Sequence, residues 1–491
     1  IYKMKFKQIL TANLLIVISL YSFSQNNVMN TFNTILADDD LKNASISFRV
    51  IDVDTDLEIA SHNATNSLVP ASTMKIVSTA SALVELGSYK RFSTNLEYDG
   101  IIDSNGILHG NIFVKGGGDP TLGSKYFLKK DEQQTAFLMT FAQEIKKLGI
   151  DSVTGKIIGD ASYYSYNTIP TSWLWGDIGN YYGAGPNGLS AYDNTANLYF
   201  KSGANDGDTT TIEKVIPYSP NLKFDNLVRA SNINSDKAYI YSAPYSNYRK
   251  IEGTIPKGKD EFIVKASLSD PAFQVAYDLK TYLKLLGVKV AEASTTLRLM
   301  AINGESNSNE RTSFYDYKSP DIGQIAYQTN HRSINLFAEH LLNEMGKKEY
   351  NEGNNYSGSR AVKSFWSKHI DTDGMYVSDG SGMSRMNAIS AYHLTSILDY
   401  MVTSKNYKSF YSSLPIAGKS GTMYRIGRNT YAEGRLRAKS GTMTRVKSYA
   451  GYVTSKSGKN LAFALIVNNY TCYNSVVTKK LEKLMVAIAN H

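Results

Sequence analysis

Pro70-Ala71-Ser72-Thr73-Met74-Lys75-Ile76-Val77-Ser78-Thr79-Ala80-Ser81-Ala82-Leu83-Val84-Glu85-Leu86-Gly87 is the stretch on which the fold of this chain turns. Proline is tolerated in a first helical turn and glycine suits the position just past a helix end. The punctuation therefore predicts a helix over residues 72–86. Met74, Ile76, Val77, Ala80, Leu83 and Val84 put apolar groups on nearly every side, the pattern of a buried helix. Set into it are a hydroxyl, Ser72, and an amine, Lys75, spaced to share one face. A hydroxyl becomes a nucleophile when a neighbouring base takes its proton. Lysine is such a base once burial and nearby cations lower its pKa. The helix start adds partial positive charge and a backbone N–H for a developing oxyanion. Ser-x-x-Lys alone recurs by chance, so its meaning depends on the rest of the chain.

Upstream, Ile46, Phe48 and Val50 alternate with polar residues and predict a strand with one buried face. Asp54-Thr55-Asp56 supplies a turn and residues 57–60 a returning strand; residues 30–37 are expected to form a short helix. From about 91 to 314 the texture changes to short, tyrosine-rich alternating stretches separated by Gly, Asn, Asp and Ser. Lys115-Gly116-Gly117-Gly118-Asp119-Pro120 is a strong turn signal within this β-rich block. Helical texture returns near Ile322. Ile334, Phe337, Leu341, Leu342 and Met345 form a helical stripe, with Gly346 expected as its stop. Residues 446–453 and 461–467 flank a turn in a hairpin pattern, and a last helix is predicted over 476–489. Strands near both ends, with helices between, predict one sheet assembled from the two ends of the chain and a middle block inserted into it.

Composition bounds the function. A chain of 491 residues is too long for one compact core. The net charge of +9 contains no dense Lys/Arg block, which argues against nucleic acid and suits an anionic cell-wall environment. Thirty-five tyrosines fit abundant strand. The single cysteine, Cys472, excludes an internal disulfide and reads as a small apolar residue. Residues 1–24 are expected to be a signal peptide: Lys3, Lys5 and Lys7 precede an apolar run from Ile9 to Phe23 that ends in Ser22-Phe23-Ser24. No cysteine follows the run, so an exported, periplasmic protein is expected rather than a lipoprotein, with an uncleaved segment that leaves it membrane-associated as the alternative.

Two further motifs join the first. Ser333-Ile334-Asn335 stands at a predicted loop-to-helix junction, which can turn a proton-relaying hydroxyl and an amide-binding side chain into one cleft; Ser333 as a plain N-cap is the alternative. Lys439-Ser440-Gly441-Thr442 closes a predicted strand. Its lysine and Ser440 hydroxyl suit a carboxylate, and Gly441 opens the strand edge to an extended substrate. A second copy, Lys419-Ser420-Gly421-Thr422, follows Leu414-Pro415-Ile416-Ala417-Gly418, a loop rather than a strand, and is expected to be inert.

These signatures occur together, in order, in penicillin-binding proteins and class A β-lactamases. With Gly117-Gly118-Asp119-Pro120-Thr121-Leu122, Gly159-Asp160, Ser333 to Glu339 and Asp379-Gly380-Ser381-Gly382-Met383-Ser384-Arg385, the chain resembles the class C low-molecular-mass penicillin-binding proteins. These are D-alanyl-D-alanine carboxypeptidases and endopeptidases. The third motif departs slightly, with Ser440 where the family more often has threonine.

The resemblance implies an α+β fold. A penicillin-binding/β-lactamase-like catalytic domain, an antiparallel sheet flanked by helices, spans 25–90 plus 315–491, and the β-rich insertion 91–314 forms two further domains. It implies Ser72 as nucleophile, Lys75 as base, and Ser333, Asn335 and Lys439 organising proton return to the leaving amine. Ser440, Gly441 and Thr442 bind substrate, with the N–H groups of Ser72 and Thr442 as oxyanion hole. No metal or other cofactor is implied. The partners are peptidoglycan stem peptides, with β-lactams as covalent inhibitors. A β-lactamase-like hydrolase would share the motifs in a shorter chain, and a non-catalytic peptidoglycan-binding protein would not need all the catalytic side chains. Asp160 and Arg385 are expected to hold the amine and carboxylate of a diaminopimelate third residue; the alternative is a structural ion pair or a turn cap.

Overall fold

The computed structural model describes residues 27–306 and 309–491. The expected signal peptide lies outside the described residues. The two ends of the chain meet in a five-stranded antiparallel sheet, ordered Leu57–His62, Ser45–Asp52, Asn460–Asn468, Val446–Thr454, Arg437–Met443. Arg437–Met443 is an edge strand, and it carries the third motif.

Both faces of the sheet are covered. One packs on a cluster containing Met74, Phe337, Trp366 and Leu398, the other on a cluster containing Phe32, Leu481 and Met485. This corrects the expected one-sided strand at Ile46 to Val50. Ile46, Phe48 and Val50 face the second cluster, but Ile51 joins the first, and Ser47 is fully buried. Ser47 is tolerated there because its hydroxyl donates to the Ala64 carbonyl at 3.2 Å and accepts from the Ala391 N–H at 2.9 Å.

The serine helix, Met74–Glu85, lies in the middle of the first cluster and is buried from Met74 to Leu83. Each fully buried Leu, Ile or Phe there stabilises the fold by about 1.5–3 kcal/mol. Beside it runs Asn335–Tyr350, buried from Leu336 to Gly346. Gly346 does not stop this helix, which continues to a left-handed Asn351 at φ +56°. The glycine serves packing instead: a Cβ there would lie 2.6 Å from the Gly358 nitrogen and 2.7 Å from Ser357 Oγ, in the neighbouring helix Asn355–Trp366.

The middle block is not purely β. A mixed sheet, ordered Thr295–Thr296, Ile157–Asp160, Ile112–Gly116, Arg91–Asp99, Arg311–Asp321, shares an apolar cluster with the helices Ala136–Lys147 and Pro271–Leu285. The strand Arg311–Asp321 carries this sheet past residue 314. A separate apolar cluster, around Leu198, Phe200, Ile240 and Val264, is formed by small sheets between residues 195 and 267.

Candidate active site

Ser72 stands in a short 3-10 turn, Ala71–Thr73, that feeds directly into the serine helix. Lys75 is fully buried one turn on, its Nζ 3.0 Å from Ser72 Oγ, 2.7 Å from Asn335 Oδ1 and 2.6 Å from the Ser381 carbonyl. As an ammonium, Lys75 has a proton for each of these oxygens. As a neutral amine it keeps protons for Asn335 and Ser381, which accept, and its lone pair is left for the Ser72 hydroxyl. Burial lowers the Lys75 pKa to about 7, against the pull of Asp379 and Glu339. The side chain is thus held where it can trade a proton near neutrality.

Two helices meet at the second motif. Ile322–Arg332 ends on Ser333, which is left-handed at φ +60°, and the next helix begins at Asn335. Ser333 is therefore not an N-cap; Ile334 occupies that position. The break sends the two polar side chains to different lysines. Asn335 meets Lys75, while Ser333 Oγ accepts from Lys439 Nζ at 2.9 Å. Ala71, next to the serine, is also left-handed at φ +48°. A non-glycine residue held in that region costs about 1–3 kcal/mol, so packing around both motifs supports strained backbone.

Lys439 lies inside its strand rather than at the end. It is fully buried and also donates to the Ser440 carbonyl at 2.6 Å. Burial, then Lys75 and Lys447, push its pKa well below the usual lysine value. Gly441 brings the strand against the nucleophile: a Cβ there would lie 2.9 Å from the Ser72 nitrogen and 2.7 Å from the Pro70 carbonyl. Ser72 and the Gly441–Thr442 backbone are thereby neighbours, as an oxyanion hole requires. The Ser440 hydroxyl donates to Thr422 Oγ1 at 2.9 Å, so the duplicate motif contributes its threonine. Its Lys419 is 59% exposed and paired with Glu433 at 2.8 Å.

Sequence reasoning gave no role to the layer behind these groups. The Glu339 carboxylate accepts the N–H groups of Ser381 at 2.8 Å and Gly380 at 3.1 Å, fixing the carbonyl that holds Lys75. Desolvation, then the neighbouring Asp379 charge, raise the Glu339 pKa. Asp379 accepts from Gly382 N at 2.8 Å, Asn387 Nδ2 at 2.7 Å and Trp173 Nε1 at 2.8 Å, the last from the middle block. His340, fully buried, bridges the Gly118 carbonyl at 2.8 Å and Ser190 Oγ at 2.9 Å. The signal for Glu339 was available: a carboxylate four residues after Asn335 on an apolar helix requires partners.

Asp160 and Arg385 are not brought together. Asp160 is 2% exposed and bound to Arg311 Nη1 at 2.8 Å and Ser162 N at 2.9 Å, inside the mixed sheet. Arg311 also lies over the Phe113 ring. Arg385 is exposed, and its charge acts on Asp177. Asp177 accepts from the Tyr182 hydroxyl at 3.2 Å, and the Tyr182 carbonyl accepts from Asn335 Nδ2 at 2.8 Å. A cavity of about 290 Å³ beside them is lined by Lys125, Tyr126, Tyr181, Tyr182, Ser333 and Asn335, among others. Among the described residues no cluster of His, Cys, Asp or Glu is placed to hold a metal ion.

An antiparallel sheet with a half-buried serine bonded to a fully buried lysine beside its edge strand is the arrangement of an active-site-serine hydrolase. Residues 28–491 match the model of the D-Ala-D-Ala carboxypeptidase 3 (S13) family, and the chain belongs to that family. It is 25% identical over 453 residues to a D-alanyl-D-alanine carboxypeptidase of Actinomadura sp. strain R39, covering 89% of this chain and 80% of the relative. It is 23% identical over 435 residues to the D-alanyl-D-alanine carboxypeptidase DacB of Haemophilus influenzae, covering 87% and 86%. Its fold is similar to the crystal structure of penicillin-binding protein 4 from H. influenzae, with a TM-score of 0.76, 22% identity, and coverage of 94% of this chain and 97% of that one.

Proposed function

We propose that Ser72 is acylated by the carbonyl of a D-alanyl residue in a peptidoglycan stem peptide, and that water then releases the acyl group. The chain is a serine-type D-Ala-D-Ala carboxypeptidase or endopeptidase. Lys75 takes the Ser72 proton as the Oγ–carbon bond forms. The Ser72 and Thr442 N–H groups hold the oxyanion. The peptide C–N bond then breaks, and Ser333, supported by Lys439, hands a proton to the leaving amine. Asn335 binds a substrate amide, and Ser440, Gly441 and Thr442 line the strand edge along which the substrate extends. Lys75 Nζ at 3.0 Å from Ser72 Oγ, in a fully buried position, carries this assignment.

The same proposal takes 25–90 with the segment from Ile322 to 491 as the catalytic domain and the insertion, expected to end at 314, as running to the end of the strand Arg311–Asp321, and places the protein outside the cytoplasm, in the periplasm, behind a signal peptide. Among the described residues no helix is long and apolar enough to cross a membrane. β-Lactams are the expected covalent inhibitors; a crystal structure of the H. influenzae penicillin-binding protein 4, 20% identical to this chain, is a complex with a β-lactam. Mass spectrometry after incubation with penicillin tests the assignment together with D-alanine release. Label on a Ser72 peptide, and loss of both label and release in Ser72→Ala, are expected. Label on another serine overturns it.

A further inference from the structure

Arg249 has no part in the chemistry above, and it differs from the arginines around it. It sits on the strand Tyr248–Glu252, 3% exposed, on the same side as the fully buried Ile251. Two less buried arginines of the middle block are paired: Arg298 with Asp270 at 3.1 Å and Arg311 with Asp160 at 2.8 Å. Among the described residues Arg249 has no carboxylate within ion-pair distance. Its Nη2 donates to the Ser267 carbonyl at 3.0 Å and to Ser269 Oγ at 2.9 Å, both uncharged acceptors. Among the described residues its Nε and Nη1 donors meet no acceptor.

A buried lysine can shed its proton near neutrality, but a guanidinium cannot. Burial, with no carboxylate to offset it, lowers the Arg249 pKa only to about 10, so the charge persists at neutral pH. A charge taken out of water needs a partner of opposite sign; left unpaired, it destabilises the fold more than an apolar residue in its place. Room for such a partner lies beside it. Arg249 lines a cavity of about 30 Å³, with Ile178, Gly183, Gly185, Asn194 and Tyr245 among the other walls. Arg249 is the one charged side chain on that lining. A second donor there, the Tyr245 hydroxyl, is buried without a hydrogen bond of ordinary geometry, although Thr168 lies near it. The volume admits about two water-sized occupants and excludes a peptide. The cavity also backs the active-site wall. Gly183 and Gly185 continue the segment of Tyr181 and Tyr182, which line the larger cavity beside Asn335, and the Tyr182 carbonyl accepts from Asn335.

We propose that Arg249 and this cavity form a binding site for one small monovalent anion of the halide class, which completes the packing beneath the segment that carries Tyr181 and Tyr182. The anion supplies the negative charge that no side chain of the lining provides, and it accepts from the guanidinium N–H groups left over by Ser267 and Ser269. The inference is independent of the D,D-peptidase assignment.

The test melts the full chain in sodium chloride, sodium bromide and sodium gluconate at one ionic strength, in a halide-free buffer. Gluconate is too large for the cavity. Chloride and bromide raise the midpoint by about 2–4 °C over gluconate, and the rise saturates as for a single site. Arg249→Met removes the difference between the salts. Crystals of the wild type grown in bromide show an anomalous peak within hydrogen-bond distance of the Arg249 guanidinium. With the wild-type melts, that peak decides the matter should Arg249→Met not fold. Equal midpoints in the three salts overturn the inference: the cavity then holds water, or any bromide peak there marks an adventitious ion only. A halide effect that survives Arg249→Met, or a bromide peak elsewhere and none at Arg249, overturns it as well.

Discussion

Trp173 donates its indole N–H to the carboxylate of Asp379 at 2.8 Å, joining a buried side chain of the middle block to the loop that supports Lys75. Asp379 also holds Gly382 and Asn387, so one carboxylate organises the turn over the nucleophile. Gly382 is needed there because any Cβ would strike the Ala71 carbonyl.

Trp173→Phe keeps an aromatic ring at this buried position but leaves one lone pair of a buried carboxylate without its donor. The expected cost is about 1–3 kcal/mol in stability. The same change should lower kcat/KM for peptide cleavage, because the Ser381 carbonyl belongs to the same turn. Thermal denaturation and steady-state kinetics on the same samples check this. An unaltered midpoint with unaltered kinetics would mean that the contact is dispensable.

The depressed Lys75 pKa predicts a pH profile. Acylation needs the neutral amine, so the rate of penicillin labelling should rise as pH passes through about 7 and then level off. The stability contribution has a definite sign. The folded pKa lies below the ordinary lysine value of about 10.4, so between these limits the unfolded chain binds more protons than the native one. Lys75 therefore destabilises the fold most below about pH 7, and its contribution to stability rises with pH across that window. Stopped-flow labelling across the neutral range is the measurement. A flat profile would assign proton abstraction to another group.

The duplicated Lys-Ser-Gly-Thr segments should differ sharply. Lys439→Ala removes a fully buried lysine side chain that holds Ser333, and should reduce kcat/KM by orders of magnitude. Lys419→Ala breaks an exposed, solvent-screened pair with Glu433 and should leave kinetics near wild type. Inactivation by the second change and not the first would reverse the assignment of the two segments.

Recognition of the stem's third residue separates Asp160 from Asp177. Asp160 is committed to Arg311, so Asp160→Asn should act on stability and affect all peptides alike. The half-buried Asp177 feels the charge of Arg385 and is tied through Tyr182 to Asn335. Arg385→Ala and Asp177→Asn should penalise a diaminopimelate peptide more than its lysine counterpart, by about 1.5–3 kcal/mol for a lost charged hydrogen bond. Parallel kinetics with the two peptides decide it; equal losses on both would make these residues supports of the loop only.

Local pattern by itself determined the parts of this protein whose physics is local. A helical turn over Ser72-Thr73-Met74-Lys75 puts hydroxyl and amine on one face whatever surrounds it, and the strand patterns near both ends of the chain point to a sheet shared between them. Tertiary structure decided what depends on approach between distant segments. Gly346 reads as a helix stop in sequence, but it is a contact point for a neighbouring helix, which only packing reveals. Asp160 follows a strand end as a binding residue might, yet Arg311, some 150 positions later, claims it. Trp173 is silent in any local pattern, and Glu339 on its apolar helix signals only that it needs partners; which backbone and side-chain donors are brought to them comes from elsewhere in the chain. Lys447 reads as an ordinary strand lysine, but packing buries it opposite Thr442, where among the described residues it forms no ion pair with a carboxylate. Periodicity reports which face of an element is apolar; which polar groups meet across elements is set by long-range packing, and there the chemistry of this site was decided.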